Sequence, residues 1–540
     1  MKVHAAIARA LAEHGIDTLF GVIGDGNLFF VDTFVREHGG RYVAAANEAG
    51  AVLMANGYAS TADGLGVATV THGPALTNTL TALVEGVKNR TPLLVVAGDT
   101  AVVDRENLQN VAQRDVVLAT GAGFEQVRAP STVVQDTATA IRRALIERRP
   151  VVLNVPIEFQ WADVEYRPVD LRPVPVPAGP PDPEALDRAV GIIATAQRPI
   201  VLAGRGAARP EARAALLRLA ERIGAPVATT LKGRDLFRGE PFNLGIFGTL
   251  STPVAVDTIL QSDCVIAFGA GLNRFTTGEG AYVENCRLVQ CDVDRAAIGA
   301  YGTPDASIVG DAAVVADTIV TWLDEADVPS TDFRTDELAR QIADYSPGGF
   351  DDLSTDDTVD LRTALLALEA SAPADRVVVS DGGRFVFQAW PIVHVPDPHS
   401  FVFTVNFGSI GLGMGNAIGA AFGRPGRPVV LITGDGGFML GGLAEFNSAV
   451  RAGIDLIVFV CNDGSYGAEH IQFRDRDLDP SISLIEWPDL APVAEALGGR
   501  GYTVRSVKDL DGMADAIAGR DRPLLIDVKL DPDRVPNVGH

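Results

Sequence analysis

The chain has 540 residues, 47% of them apolar and 21% charged. That is a globular composition too long for a single core, so roughly two to four domains are expected. The formal charge of −24 repels phosphate backbones and argues against a nucleic-acid partner, although a metal or helix N-terminus can still hold one small anion.

Met1–Glu13 has the pattern of an amphipathic helix and lacks the apolar core of a signal segment. Apolar bursts then follow at Thr18–Ile23, Arg41–Ala46, Gly66–Val70, Leu93–Gly98 and Val151–Val155. Helical patterns lie between them at Glu48–Ser60 and Asn78–Asn89. The alternation predicts a parallel sheet covered by helices, in a first domain over residues 1–165. The proline-rich stretch Arg167–Pro183 suits neither helix nor central strand and is expected to be an extended linker.

A second α/β domain is expected over residues 184–327, with strands at Pro199–Ala203, Pro226–Thr229, Cys264–Phe268 and Arg287–Val293. Its turn Val201–Ala207 resembles a nucleotide-binding loop but lacks the full G-x-G-x-x-G spacing. An acidic stretch rich in Ser, Thr and Asp, Val328–Thr358, is expected to be a second linker. The third domain, residues 358–540, repeats the rhythm at Val377–Ser380, Ser400–Thr404, Val429–Thr433, Leu456–Cys461 and Leu524–Val528. The expected fold class is therefore α/β, three domains with parallel sheets flanked by helices. The four cysteines form no C-x-x-C pair, which argues against zinc and fits reduced thiols in the cytoplasm. No apolar run approaches the roughly 20 residues that span a bilayer, so no membrane partner is expected.

The strongest local signal is Val429–Gly467. A strand ends at Thr433, Gly434-Asp435-Gly436-Gly437 turns into a helix through about Arg451, and a second strand ends at Asn462-Asp463. One βαβ unit thus brings Asp435 and Asp463 to the carboxyl ends of two parallel strands, where open α/β sheets bind ligands. Magnesium takes hard oxygen ligands, one or two of them carboxylates, and glycines let backbone amides approach a diphosphate. Gly-Asp-Gly alone is also an ordinary turn. A second copy, Gly24-Asp25-Gly26, has no Asn-Asp pair at the matching distance, so the paired spacing is what distinguishes the later one.

G-D-G followed by an Asn/Asp pair resembles the signature of thiamine-diphosphate enzymes. The resemblance covers essentially the whole chain, in the order pyrimidine-binding, central and diphosphate-binding domain. It is nearest to the group of acetolactate synthase, pyruvate decarboxylase and benzoylformate decarboxylase, and it implies thiamine diphosphate and Mg2+ as cofactors. By resemblance the metal ligands are Asp435, Asp463 and the Ser465 carbonyl, with Asn462 as the alternative to Asp463. The cofactor contacts implied are Glu48, Gly383, Arg384, Gly408, Ile410, Gly434, Asp435, Gly436, Gly437, Asp463, Ser465, Tyr466 and Gly467. Asn406–Gly415 is similar to the family's loop under the thiazolium, with Ile410 bending the cofactor and the Gly408 carbonyl accepting from its amino group. Ala44–Ala59 is similar to the catalytic-glutamate segment, which gives Glu48 the role of activating the cofactor. Outside that context Glu48 is simply an acid in a helix first turn.

The signals for the reaction are mixed. Phe20–Leu28 resembles the pyruvate decarboxylase segment whose Asp is catalytic, here Asp25, and Glu469 stands where those enzymes carry an active-site Glu. Their His-His pair is missing. Gln113 stands where acetolactate synthase-like enzymes have Gln, His72 replaces a usual Ser, and His470 adjoins Glu469. His72 and His470 also suit core histidines, and Asp25 a turn cap. Acids and a histidine together suit general acid–base work. The implied reaction is attack of the cofactor's C2 carbanion on a 2-oxo acid, or on an aldehyde, with decarboxylase and carboligase outcomes both open. FAD is the further cofactor considered, as in a flavin-containing oxidase or true acetolactate synthase, and a non-decarboxylating C–C lyase is a further alternative. A homodimer or homotetramer is implied.

Overall fold

A computed structural model describes residues 1–104, 106–174 and 179–536. Its strands fall into three six-stranded sheets, and every pairing is parallel. The first sheet contains β1 (Thr18–Gly21), β2 (Arg41–Ala44), β3 (Gly66–Val70), β4 (Leu93–Asp99), β5 (Gly123–Gln126) and β6 (Pro150–Pro156), in the order β2-β1-β3-β4-β6-β5. The second contains β7 (Pro199–Ala203), β8 (Val227–Thr229), β9 (Asn243–Ile246), β10 (Cys264–Phe268), β11 (Arg287–Asp292) and β12 (Ala306–Val309), in the order β12-β11-β10-β7-β8-β9. The third contains β13 (Val377–Ser380), β14 (Phe401–Phe403), β15 (Val429–Gly434), β16 (Leu456–Asn462), β17 (Arg500–Val504) and β18 (Leu524–Lys529), in the order β14-β13-β15-β16-β18-β17. The expected fold class is therefore observed. Strands such as β4, β6 and β16 are buried along nearly their whole length, which is why they read as continuous apolar runs.

The first and third sheets have the same strand order, so they are two copies of one topology. In each, the order in which strands are added reverses between the second and third positions: between β1 and β3, and between β13 and β15. Ligands of open α/β sheets bind at such reversals. The middle sheet has the order of dinucleotide-binding folds, with its reversal between β7 and β10. There Gly204 and Gly206 serve contact between two loops: a Cβ on Gly204 would lie 2.2 Å from the Gly269 carbonyl, and one on Gly206 2.8 Å from its Cα.

The described residues form two compact units. One joins the first and third domains, Met1–Val174, Asp351–Ala389 and the chain from Ser400 on. The other holds the middle domain to Phe350, with Trp390–His399. Within the first unit, helix Glu48–Ala62 crosses helix Gly413–Gly423 at backbone contact. A Cβ on Gly57 would lie 2.0 Å from the Asn416 carbonyl, and one on Gly419 would lie 1.8 Å from that of Met54. Asn56 donates to Asn416 at 2.8 Å across the same crossing.

The two expected linkers differ. In Arg167–Pro183, residues 175–178 lie outside the described residues, and the remainder before the helix Pro183–Thr195 carries no helix or strand. Val328–Thr358 instead contains the helix Asp336–Asp344, capped by Thr335. Leu338 and Ile342, one turn apart, pack it on the middle domain's apolar cluster, which its acidic composition concealed. Among the described residues, no helix is long and apolar enough to cross a membrane.

Candidate active site

At the reversal of the third sheet, Asp381 follows β13. It is wholly buried and acts as a hub. Its carboxylate accepts from the backbone of Gly382 (2.8 Å), Gly411 (3.1 Å) and Leu412 (3.3 Å), and from Thr433 Oγ1 (3.0 Å). Burial nevertheless lifts its pKa. Asp381 thereby ties the ends of β13 and β15 to the loop Asn406–Leu412. Sequence reasoning named its neighbours Gly383 and Arg384 but missed this residue. The signal was an Asp-Gly-Gly directly after an apolar strand, the pattern that also marks Asp435.

Asp435 opens a helical run capped at Gly434. The run is not continuous α-helix: Phe438–Gly442 is a π turn, and α-helix resumes at Leu443–Ala452. Such insertions cluster at functional sites. Here the turn brings Gly441 against Gly411, where a Cβ would lie 2.0 Å from the Gly411 carbonyl. Gly408 has φ +75° with open space around it, so its glycine is required by backbone conformation alone. Ile410 touches both neighbouring turns: Cβ atoms built on Gly382 and Gly436 would lie 3.4 and 3.8 Å from its side chain. Gly383 also has a positive φ, +151°, and Gly437 packs on Asp381 and Thr433.

Asp435 is buried and accepts from the Gly464 amide at 3.0 Å. Burial, and then the Asp463 charge, push its pKa up to about 7. Asp463 accepts at Oδ1 from Ser465 N (3.0 Å) and Oγ (2.8 Å), and at Oδ2 from Arg384 Nε (2.8 Å) and Nη2 (2.7 Å). Gly467 leaves room for that pair, since a Cβ there would lie 2.9 Å from Arg384 Nε. Tyr466 is exposed and caps the helix Gly467–Asp475. Asn462 points elsewhere, donating to Asp527 at 2.8 Å.

Among the described residues, two buried donors beside these carboxylates lack a partner, Arg384 Nη1 and Trp487 Nε1. The Trp487 indole lies near enough to favour the Asp435 carboxylate as a donor would, though its Nε1 meets no acceptor at full hydrogen-bond geometry. Unpaired buried donors next to two acids fit a bound anion carrying a metal. Among the described residues no three His, Cys, Asp or Glu converge as metal ligands, so a cation here needs backbone and ligand oxygens as well.

At the reversal of the first sheet, Asp25 follows β1 and Thr71-His72 follow β3. Thr71 Oγ1 donates to Asp25 Oδ1 at 2.8 Å and accepts from Gly26 N at 3.0 Å; His72 Nδ1 lies 3.2 Å from the same oxygen. His72 Nδ1 is also 3.8 Å from Asp25. Glu48 begins its helix, and its carboxylate accepts from Asn78 at 3.0 Å. Asp25, His72 and Glu48 therefore share one sheet edge.

The other expected residues do not join this group through bonds. Gln113 is buried and saturated, accepting from Gly73 N (2.7 Å) and donating to the Gly98 carbonyl (2.9 Å) and Asn154 (2.6 Å). His470 is buried with both ring nitrogens engaged, by Ser483 (2.8 Å) and Asp533 (2.9 Å). Glu469 is exposed and unpaired among the described residues.

Residues 1–119 match the thiamine pyrophosphate enzyme N-terminal TPP binding domain, 186–319 the central domain and 381–528 the C-terminal TPP binding domain. Sulfoacetaldehyde acetyltransferase of Rhodobacter capsulatus is 28% identical, over 96% of this chain and 93% of its own length. A probable acetolactate synthase large subunit of Methanococcus aeolicus is 25% identical, over 98% and 92%. Acetolactate synthase of Arthrospira platensis is 26% identical, over 99% and 96%.

Proposed function

We propose that this chain, which belongs to the acetolactate synthase group of thiamine pyrophosphate enzymes, uses thiamine diphosphate with Mg2+ to decarboxylate a small 2-oxo acid and pass the acyl unit to a second carbonyl. The observation that carries the metal and diphosphate assignment is the unpaired donors Arg384 Nη1 and Trp487 Nε1 beside Asp435 and Asp463. Asp435, Asp463 and the Ser465 carbonyl would hold the metal, and Arg384, Trp487 and the Gly436 and Gly437 amides the diphosphate. Asp463 is preferred to Asn462 because its carboxylate stands near enough to Asp435 to raise that group's pKa, whereas the Asn462 side chain turns to Asp527. Ile410 would prop the cofactor from the loop that Asp381 fixes, and the Gly408 carbonyl would accept from it. Glu48 would hold a proton at the cofactor ring, oriented by Asn78. When bound, thiamine diphosphate supplies a carbon nucleophile and accepts the electrons released with carbon dioxide.

Acyl transfer is the preferred outcome because the similar proteins are named as synthases and an acetyltransferase. Aldehyde release is the second reading, and the Asp25–Thr71–His72 contact favours it as a proton source. The test is a panel of 2-oxo acids with and without thiamine diphosphate and Mg2+, scored for carbon dioxide and products. Acyloin or transferred acyl product, dependent on both additives, supports the first reading, and aldehyde alone supports the second. No release from any acid overturns both and points to a non-decarboxylating C–C lyase.

A further inference from the structure

Thr71 sits between an acid and a histidine with one proton to give. Its hydroxyl lies 2.8 Å from Asp25 Oδ1, 3.0 Å from the Gly26 amide nitrogen and 3.2 Å from His72 Nδ1. A hydroxyl donates once and accepts up to twice. The Gly26 N–H can only donate, and the exposed Asp25 carboxylate can only accept when ionised. Two oxygens 2.8 Å apart without a proton between them repel, so the Thr71 proton belongs to Asp25. The contact with His72 is then satisfied in one way, with Nδ1 carrying a hydrogen and donating it to Thr71.

We infer that Thr71 is a positioning residue that locks His72 as its Nδ1–H tautomer and leaves Nε2 as the proton-accepting atom at this sheet edge. Nε2 has no hydrogen-bond partner among the described residues. Asp25 acts through Thr71, stabilising positive charge on the ring from the side away from Nε2, as second partners of histidine commonly do. The packing enforces this arrangement. A Cβ on Gly26 would lie 2.7 Å from Thr71 Oγ1 and 3.2 Å from His72 Nδ1, and one on Gly24 2.8 Å from Thr71 Cβ. The Gly-Asp-Gly at 24–26 thus serves the approach of Thr71 and His72. His72 is 2% exposed, so water competes little for the ring. The same segment supplies Asn78, the partner of Glu48. That Nε2 takes or returns a substrate proton rests on the proposed function; the tautomer lock does not.

The test is nitrogen-15 NMR of histidine-labelled enzyme with thiamine diphosphate and Mg2+, above pH 8, with His72 assigned by its loss in H72Q. The expected result is an Nδ1–H pattern for His72 in the native enzyme, loss of that preference in T71V, and its return in T71S. T71V also unpairs the Gly26 amide, and T71S controls for this by keeping the hydroxyl. An Nε2–H pattern in the native enzyme, or an unchanged Nδ1–H pattern in T71V, overturns the inference. In parallel, kcat should fall on the order of 10²-fold in T71V, recover in T71S, and leave cofactor affinity within about twofold. If the NMR results hold but kcat is unchanged, the lock stands and the catalytic use of His72 falls.

Discussion

Asp435 has the most direct physical signature of any single residue. Its folded pKa lies near 7, raised from 3.8 by burial and by Asp463. A raised carboxyl contributes stability that is complete below its unfolded value and is lost as pH rises through the folded one. The apo protein should therefore lose stability between about pH 4 and pH 7 through this group. A cation needs the carboxylate, so Mg2+ binding below pH 7 should release a proton, and affinity should climb with pH before levelling above 7. Calorimetry in buffers of different ionisation enthalpy measures that proton directly; no buffer dependence at pH 6 would remove Asp435 as ligand. Asp435→Ala should abolish Mg2+-dependent cofactor binding in the same instrument. Glu48→Gln makes the complementary case. Among the described residues its carboxylate hydrogen-bonds Asn78 alone, so cofactor affinity should persist while turnover falls on the order of 10² to 10⁴-fold, and near-normal turnover would end its proposed role.

At the scale of elements, what the sequence concealed has a common cause. The unforeseen strands β5, β9, β12 and β17 are all sheet edges. They are short or only half covered, as in the alternating burial of β12 and the mostly half-buried β17, and so produce no apolar burst. The interior strands, buried on both faces, were legible. The π turn at Phe438–Gly442 was not, because a helix with one extra residue keeps its composition. That Asp435 and Asp463 meet at one sheet edge was legible because their spacing is local, whereas Glu48 was expected from the resemblance alone. Asp381, Trp487 and Thr71 were not, because their roles depend on which loops meet. Two glycines, one in the loop and one in the π turn, give a graded test. Gly408→Ala meets no atom within 4 Å and should cost about 1 kcal/mol for its left-handed backbone. Gly441→Ala forces a Cβ to 2.0 Å from the Gly411 carbonyl and should cost about 3 kcal/mol, with a shifted Ile410 and weaker cofactor binding. Urea denaturation with equal costs would show that the two segments are not rigidly docked.

At the scale of the whole molecule, the repeated topology carries a reciprocal brace inside the first unit. Helix Leu80–Asn89 follows β3, and helix Leu443–Ala452 follows β15, the equivalent strand. Each sends one buried glutamate into the other domain, to the loop just after the β2-equivalent strand. Glu445 accepts from Ala46 N and Asn47 N, beside Glu48; Glu85 accepts from Asn406 and Phe407, beside Gly408. Burial raises the Glu445 pKa despite these donors, so ionising this carboxyl costs more here than in water. Removing either carboxylate leaves part-buried amides unpaired, and E85A and E445A should each lose about 1 to 3 kcal/mol. The conservative changes should separate them. At Glu445 one oxygen, Oε1, reaches both amides, at 3.0 and 3.1 Å, and Oε2 only shares the Ala46 amide, at 3.1 Å, so a glutamine oxygen in the Oε1 place keeps a bond to each amide. At Glu85 both oxygens are used: Oε1 by Asn406 Nδ2 at 2.5 Å and Oε2 by Phe407 N at 2.8 Å. A glutamine there must set an NH2 against a donor. E85Q should therefore be the less stable variant and should weaken cofactor binding through the Gly408 loop, whereas E445Q should act on kcat through Glu48. Denaturation, cofactor titration and turnover on the two variants decide it; equal effects in all three would mean that the brace supports stability without positioning either half of the site.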